Sequence, residues 1–219
     1  MTTLDQRQQL IECATSQIAH HGYFQTTVSD IIEAAEVTEE TFYAFFETKE
    51  DVVMSILSKG EEALLDVVKL GYRKNNDNVS GMVDSSIALF TNYFSFAKEN
   101  RDLMMLMIRI RNGGDSAVAA FANRVNEDIE HAFFHNIQRA KDLGMLVDKR
   151  STAVQAALLT SLVNGMMQRW LFANDPIDSI SMLSPEDMAR EIVQFEFFGF
   201  IGWHDEYRQC HENSKGRIE

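Results

Sequence analysis

The chain has 219 residues, of which 45% are hydrophobic and 24% charged, and its formal net charge is −13. No run of about 18 uncharged apolar residues occurs, which excludes a membrane-spanning helix. The opening MTTLDQRQQL lacks the basic-then-apolar profile of a signal peptide. A cytoplasmic protein is expected, and the acidic balance opposes nonspecific adhesion to nucleic acid or anionic lipid, whose phosphates the long-range field repels.

Pro176 and Pro185 are the only prolines, and β-branched alternating runs are scarce, so the chain reads as all-α. Leu4, Ile11, Ala14 and Ile18 recur at helical spacing and give a first amphipathic helix over 4–21, stopped at His21-Gly22. Thr26 or Thr27 caps a second helix near 28–35, with Asp30 placed for a capping box. A turn follows at Ala35-Glu36-Val37. Thr38 then caps a third helix whose first turn carries Glu39 and Glu40, where the helix dipole favours negative charge. Phe42, Phe45 and Phe46 give that helix its buried face. Two short helices joined by a tight turn form a helix-turn-helix, in which the second helix is offered to the major groove of DNA.

Thr48 caps a longer fourth helix from about Lys49 to Gly71 or Lys74, and NNDNVSG (75–81) reads as a linker loop. Five further helical patterns cover about 82–98, 100–111, 115–143, 150–173 and 185–210. The plan is a three-helix head (1–48), a connecting helix (49–75) and a larger helical body for ligand binding and dimerisation (76–219), about nine helices in all.

The residues resemble the TetR family of transcriptional repressors. The likeness runs through GYFxTTVxDI (Gly22 to Ile31) and AAxVTxxTFYxFFxTKE (Ala34 to Glu50), while the body matches more loosely in length and helix plan. The resemblance implies a homodimer through the last two helices, operator DNA as a partner, and a small-molecule effector held in the body. Carried over position by position, it implies Thr27, Tyr43 and Lys49 as phosphate contacts and Thr38, Glu39 and Thr41 as residues facing base edges.

The head departs from the family pattern in charge. From Met1 to Glu50 it carries Arg7 and Lys49 against Asp5, Glu12, Asp30, Glu33, Glu36, Glu39, Glu40, Glu47 and Glu50, which is a formal −7. Glutamate also stands at position 36, where relatives often place glycine in a left-handed turn. Three readings follow. Glu39 or Glu40 accepts from cytosine N4 in direct readout, with hydroxyls and backbone amides on phosphate. The glutamates merely stabilise helix N-termini while neighbouring polar groups do the work. Or the head has lost DNA binding, and the protein is a ligand- or protein-binding module.

In the body, 103–110 (LMMLMIRI) and 158–172 (LLTSLVNGMMQRWLF) concentrate residues suited to an adaptable apolar cavity. Met104, Met107, Met167 and Trp170 are candidate lining residues for a mostly apolar effector. Arg109, Arg111, His131, His135, Asn164, Gln168 and Arg169 are the polar groups nearby; Arg109, His131, His135 and Arg169 are the candidates for meeting an amphipathic anion. His131 and His135 have the one-turn spacing of a metal pair but lack the HExxH glutamate, so no metal is expected. No other cofactor is expected. Phe195, Phe197, Phe198, Phe200, Trp203 and Tyr207 spread around the ninth helix more widely than a monomer core needs, which points to a partner subunit. Cys13 and Cys210 form no CxxC or Cys/His cluster, and no nucleophile elbow or glycine-rich phosphate loop occurs, so an enzyme is not expected.

Overall fold

The computed structural model describes residues 3–68, 79–113, 116–144, 146, 150–172 and 179–198. Among the described residues the chain forms nine α-helices and no strand. They are α1 (Thr3–His21), α2 (Val28–Ala34), α3 (Glu39–Phe45), α4 (Lys49–Val68), α5 (Val79–Glu99), α6 (Arg101–Arg111), α7 (Ala117–Asp142), α8 (Thr152–Phe172) and α9 (Pro185–Phe198). A 3-10 turn, Ser179–Met182, leads into α9.

Local chemistry sets most of these ends. Gly22 takes φ 94° and its N–H reaches the Ile18 carbonyl at 2.9 Å, closing α1. Ser116 accepts the Ala119 N–H at 3.1 Å and opens α7. Ser184 and Asp187 cap α9 reciprocally: the Ser184 hydroxyl donates to Asp187 at 2.6 Å and accepts its N–H at 3.1 Å. Pro185 then occupies the first helical position, where no N–H is needed. Gly144, at φ 71°, follows α7.

One expectation shifts. α5 already runs from Val79, so the loop expected over 75–81 does not extend through its last three residues. Gly81 weakens a helix interior by about 1 kcal/mol relative to alanine without ending it. The remainder of that loop, the expected end of the fourth helix, and the continuation of the ninth to 210, with Phe200, Trp203 and Tyr207, lie outside the described residues.

Apolar burial forms two clusters. Leu10 and Ile18 of α1, Ile31 of α2, Phe42 of α3, and Val53 and Leu57 of α4 are fully buried in the head. The same cluster takes in Leu106 and Ile110 of α6 and Val118 and Ala122 of α7. The head core therefore does not close within residues 1–48. The second cluster fills the body, where α5 packs along α9 and α7 along α8. It joins Leu64, Tyr93, Phe94, Phe133, Val163, Met167 and Ile192, with the Phe94 ring edge-on to Trp170 at 5.7 Å. Helix α4 belongs to both clusters, its first half to the head and its last turns to the body.

Candidate nucleic-acid interface

The helix-turn-helix is built almost entirely from neighbours in sequence. At the start of α2 the Thr27 hydroxyl accepts the Asp30 N–H at 3.2 Å, while the Asp30 carboxylate accepts both the Thr27 N–H and its hydroxyl proton at 2.7 Å. This capping box satisfies helix-end amides that no backbone carbonyl can reach. It holds the Asp30 carboxyl below the usual range, chiefly through the Thr27 backbone N–H and then through its hydroxyl. Thr27 is exposed, but both of its polar groups are engaged within the head.

The turn is a Schellman motif. The Val37 N–H reaches the Ile32 carbonyl at 3.3 Å and the Glu36 N–H reaches Glu33 at 3.1 Å. Ile32 and Val37 pack on the head core, which supplies the apolar contact that accompanies such a cap. Glu36 sits at φ 51°, the one non-glycine residue with positive φ among those described.

Thr38 opens α3, accepting the Thr41 N–H at 3.2 Å, and the two hydroxyls lie 3.0 Å apart. Phe42 and Phe46 are buried and fix α3 on the head. Glu39 and Glu40 are exposed in the first turn. Tyr43, one turn after Glu39 and therefore on the same face, is 50% exposed, with its ring edge-on to Phe42. Thr38, Glu39 and Tyr43 thus lie along the outward side of α3, and Thr41 is half-buried behind them.

Lys49 is placed differently from a free surface lysine. Its ammonium donates to the carbonyls of Tyr23 at 2.5 Å and Thr26 at 2.6 Å, and it lies 4.3 Å from the centre of the Tyr23 ring. Burial pushes its pKa down, with Asp30 pulling the other way. Lys49 thereby pins the turn before α2 to the start of α4, a role its sequence position does not reveal. The other cation of the head, Arg7, lies over the Phe46 ring at 5.1 Å and donates to the Ser55 hydroxyl at 3.0 Å. Both head cations are therefore engaged by the head itself.

A sequence model for bacterial regulatory proteins of the tetR family matches residues 10–56, which run from within α1 through the first turns of α4. Residues 10–56 thus carry a helix-turn-helix of the TetR family type. Similarity to its members extends over the body at low identity. The HTH-type transcriptional repressor BepR of Brucella suis is 23% identical over 80% of this chain and 84% of its own length. The fatty acid degradation regulator FadR from Bacillus halodurans superposes with a TM-score of 0.73 over 90% of this chain and 97% of that chain, at 18% identity. FadR from Bacillus subtilis, solved in complex with stearoyl-CoA, superposes at 0.69 over 88% and 98%, at 16% identity.

Within the body, Met104, Met167 and Trp170 are buried and Met107 is half-buried, all in the apolar interior. The Trp170 indole donates to the Leu183 carbonyl at 3.0 Å. Arg109, His131, His135 and Arg169 are exposed instead. Arg109 donates to the His20 carbonyl at 2.9 Å, and so faces α1 of the head rather than the body interior. His131 and His135 lie on the outer face of α7, away from the buried side marked by Ile129 and Phe133. Among the described residues no group of three or more metal-ligating side chains occurs. An open cleft of about 500 Å³ lies where α1 and α4 meet the α5–α6 junction, lined by Gln8, Glu12, Lys59 and Leu103 among others, and none of the expected effector residues borders it.

Proposed function

We propose that this protein is a cytoplasmic, homodimeric transcriptional repressor that reads operator DNA through α3 and senses a mostly apolar small molecule in its body. The observation that carries this reading is the Thr38-capped α3, seated by Phe42 and Phe46 behind a Schellman turn, with Glu39 and Tyr43 facing outward. Hydroxyls and backbone amides would meet phosphate, and Glu39 would accept from cytosine N4. The dimer reading is supported by Val154 and Leu158 on α8, 55% and 62% exposed, and by Phe195 on α9, 41% exposed. Gly165 adds a spot on α8 where a side chain would meet nothing within 4 Å among the described residues. Outward apolar groups of this kind suit a second copy of the chain. The stearoyl-CoA complex of the FadR relative supports an effector with a long apolar portion. Effector binding shifts the balance between head spacings by its differential affinity for the two states.

The test is selection of bound fragments from sheared genomic DNA of the source at low salt, with the purified full chain. One palindromic site should be recovered, and Tyr43→Ala should lose it without changing the thermal melt. Recovery of nothing from the folded protein would overturn the DNA-reading function and leave the acidic head as part of a ligand- or protein-binding module.

A further inference from the structure

Where α5, α6, α7 and α8 come together, the body holds a polar cluster that neither the helix-turn-helix nor ordinary core packing uses. Arg111, the last residue of α6, is half-buried and donates from Nη1 to Asn126 Oδ1 on α7 at 2.8 Å. The same oxygen accepts the Asn164 amide from α8 at 2.7 Å. Asn126 thus orients the guanidinium, and Asn164 on another helix holds Asn126 in place. Among the described residues, no carboxylate closes an ion pair on it, although the chain has 33 acidic residues to 20 basic ones. A partly desolvated cation left without a counter-charge is costly unless an anion arrives to meet it.

A second, independent observation stands one turn before Asn164. Thr160 is 3% exposed and its hydroxyl has no hydrogen-bond partner among the described residues. A helical threonine ordinarily returns its hydroxyl to the carbonyl four residues back. Here that bond is not made, and a buried polar group without a partner loses free energy for as long as it stays unmet. Thr160, Asn164 and Met167 follow one another at helical spacing along α8, and Met104, Met107 and Arg111 do the same along α6. Each helix therefore presents polar groups at one end of a face and methionine further along it. Methionine's unbranched side chain rearranges at little cost to admit a flexible tail. Tyr93 of α5, 1% exposed, lies within the field of Arg111.

We propose that Arg111, oriented by Asn126, which Asn164 holds in turn, and assisted by the Thr160 hydroxyl, receives the oxyanion of an amphipathic effector whose apolar tail lies among Met104, Met107 and Met167. The inference rests on the reading of the body as the effector-binding part and names the effector's class, an oxyanion carried on a long apolar chain. A planar guanidinium suits this task because its fork of donors matches carboxylate or phosphate geometry. A free fatty acid and an acyl thioester of a phosphorylated carrier both supply that chemistry.

Calorimetry on the full chain distinguishes these sources and needs no DNA, so its outcome is read separately from the fragment selection. The probes are myristate below its micelle concentration, myristoyl-CoA, and methyl myristate as the uncharged control. At least one of the two anions should bind, and Arg111→Met should weaken it by about tenfold or more while leaving the binding of methyl myristate unchanged. Thr160→Val, which keeps shape and removes only the hydroxyl, should weaken the same anion by a smaller factor, and it decides the matter if Arg111→Met does not fold. Myristate alone responding identifies the carboxylate, and myristoyl-CoA alone responding identifies the phosphorylated carrier. Failure of both anions to bind the native chain, or unchanged affinity in the folded variants, would overturn the assignment.

Discussion

Glu36 holds the turn between α2 and α3 at φ 51°, a conformation in which a Cβ crowds its own backbone. Replacing it by glycine relieves that crowding, offset in part by the greater freedom of glycine in the unfolded chain. Glu36→Gly should therefore leave the fold intact and raise stability by up to about 1 kcal/mol, read from the urea midpoint. At this scale the sequence is legible wherever the partner is near. The Thr27–Asp30 and Thr38–Thr41 caps close over three residues and can be read from TTVSD and TEET directly. Lys49 is not legible in the same way, because its carbonyl partners lie 26 and 23 residues back along the chain. An expectation of phosphate contact treats that lysine as free, whereas the fold has already given it two acceptors.

At the scale of the helix, α9 carries a carboxyl in an unfavourable place. Glu196 is half-buried as a residue, but its Oε2 is enclosed with no hydrogen-bond partner among the described residues, and burial pushes its pKa up to about 8. Between its ordinary value near 4.5 and about 8, the native chain keeps a proton that the unfolded chain has released. Stability from this group is therefore fully present below about 4.5 and is lost as pH rises toward 8, above which the deficit stays constant. Glu196→Gln should flatten that fall, so its urea midpoint should exceed the native one increasingly from pH 5 to pH 8. An unchanged pH profile would mean that the carboxyl is not enclosed in solution. Helix limits were legible wherever a cap or a glycine marks them, as at Ser184 and Gly144. The facing of α6 was not. Arg109 and Arg111 stand two residues apart, about 200° around the helix, and only packing decides that Arg109 turns to the head while Arg111 turns to Asn126. Asn126 itself drew no notice in the sequence, although a polar residue beside the apolar positions Val125 and Ile129 was the available signal.

Taken whole, the molecule presents DNA with a head of formal charge −7 whose two cations are already engaged. Each phosphate neutralised by lysine or arginine adds about 0.9 to the slope of log affinity against log salt. With Lys49 as the nearest cation in each head, the slope for a dimer should stay below about 4 in magnitude. Filter binding to the selected operator between 50 and 200 mM salt (roughly the range over which such slopes are measured) checks this, and a steeper slope would reveal cationic contacts from elsewhere in the chain. Fold class and head plan were readable because capping, turn and aromatic spacing all agree. The union of head and body was not, since it depends on Leu106, Ile110, Val118 and Ala122 joining the core of α1 to α4 from far along the chain. That union is reinforced by the His20–Asp102 pair at 3.3 Å and the Arg109 bond to His20. It has a consequence for anyone wishing to transplant recognition between relatives. A chimera spliced at residue 48 would set a foreign α1 against the native α6, so donor segments must be chosen for their match to Leu106 and Ile110 as much as for the bases they read.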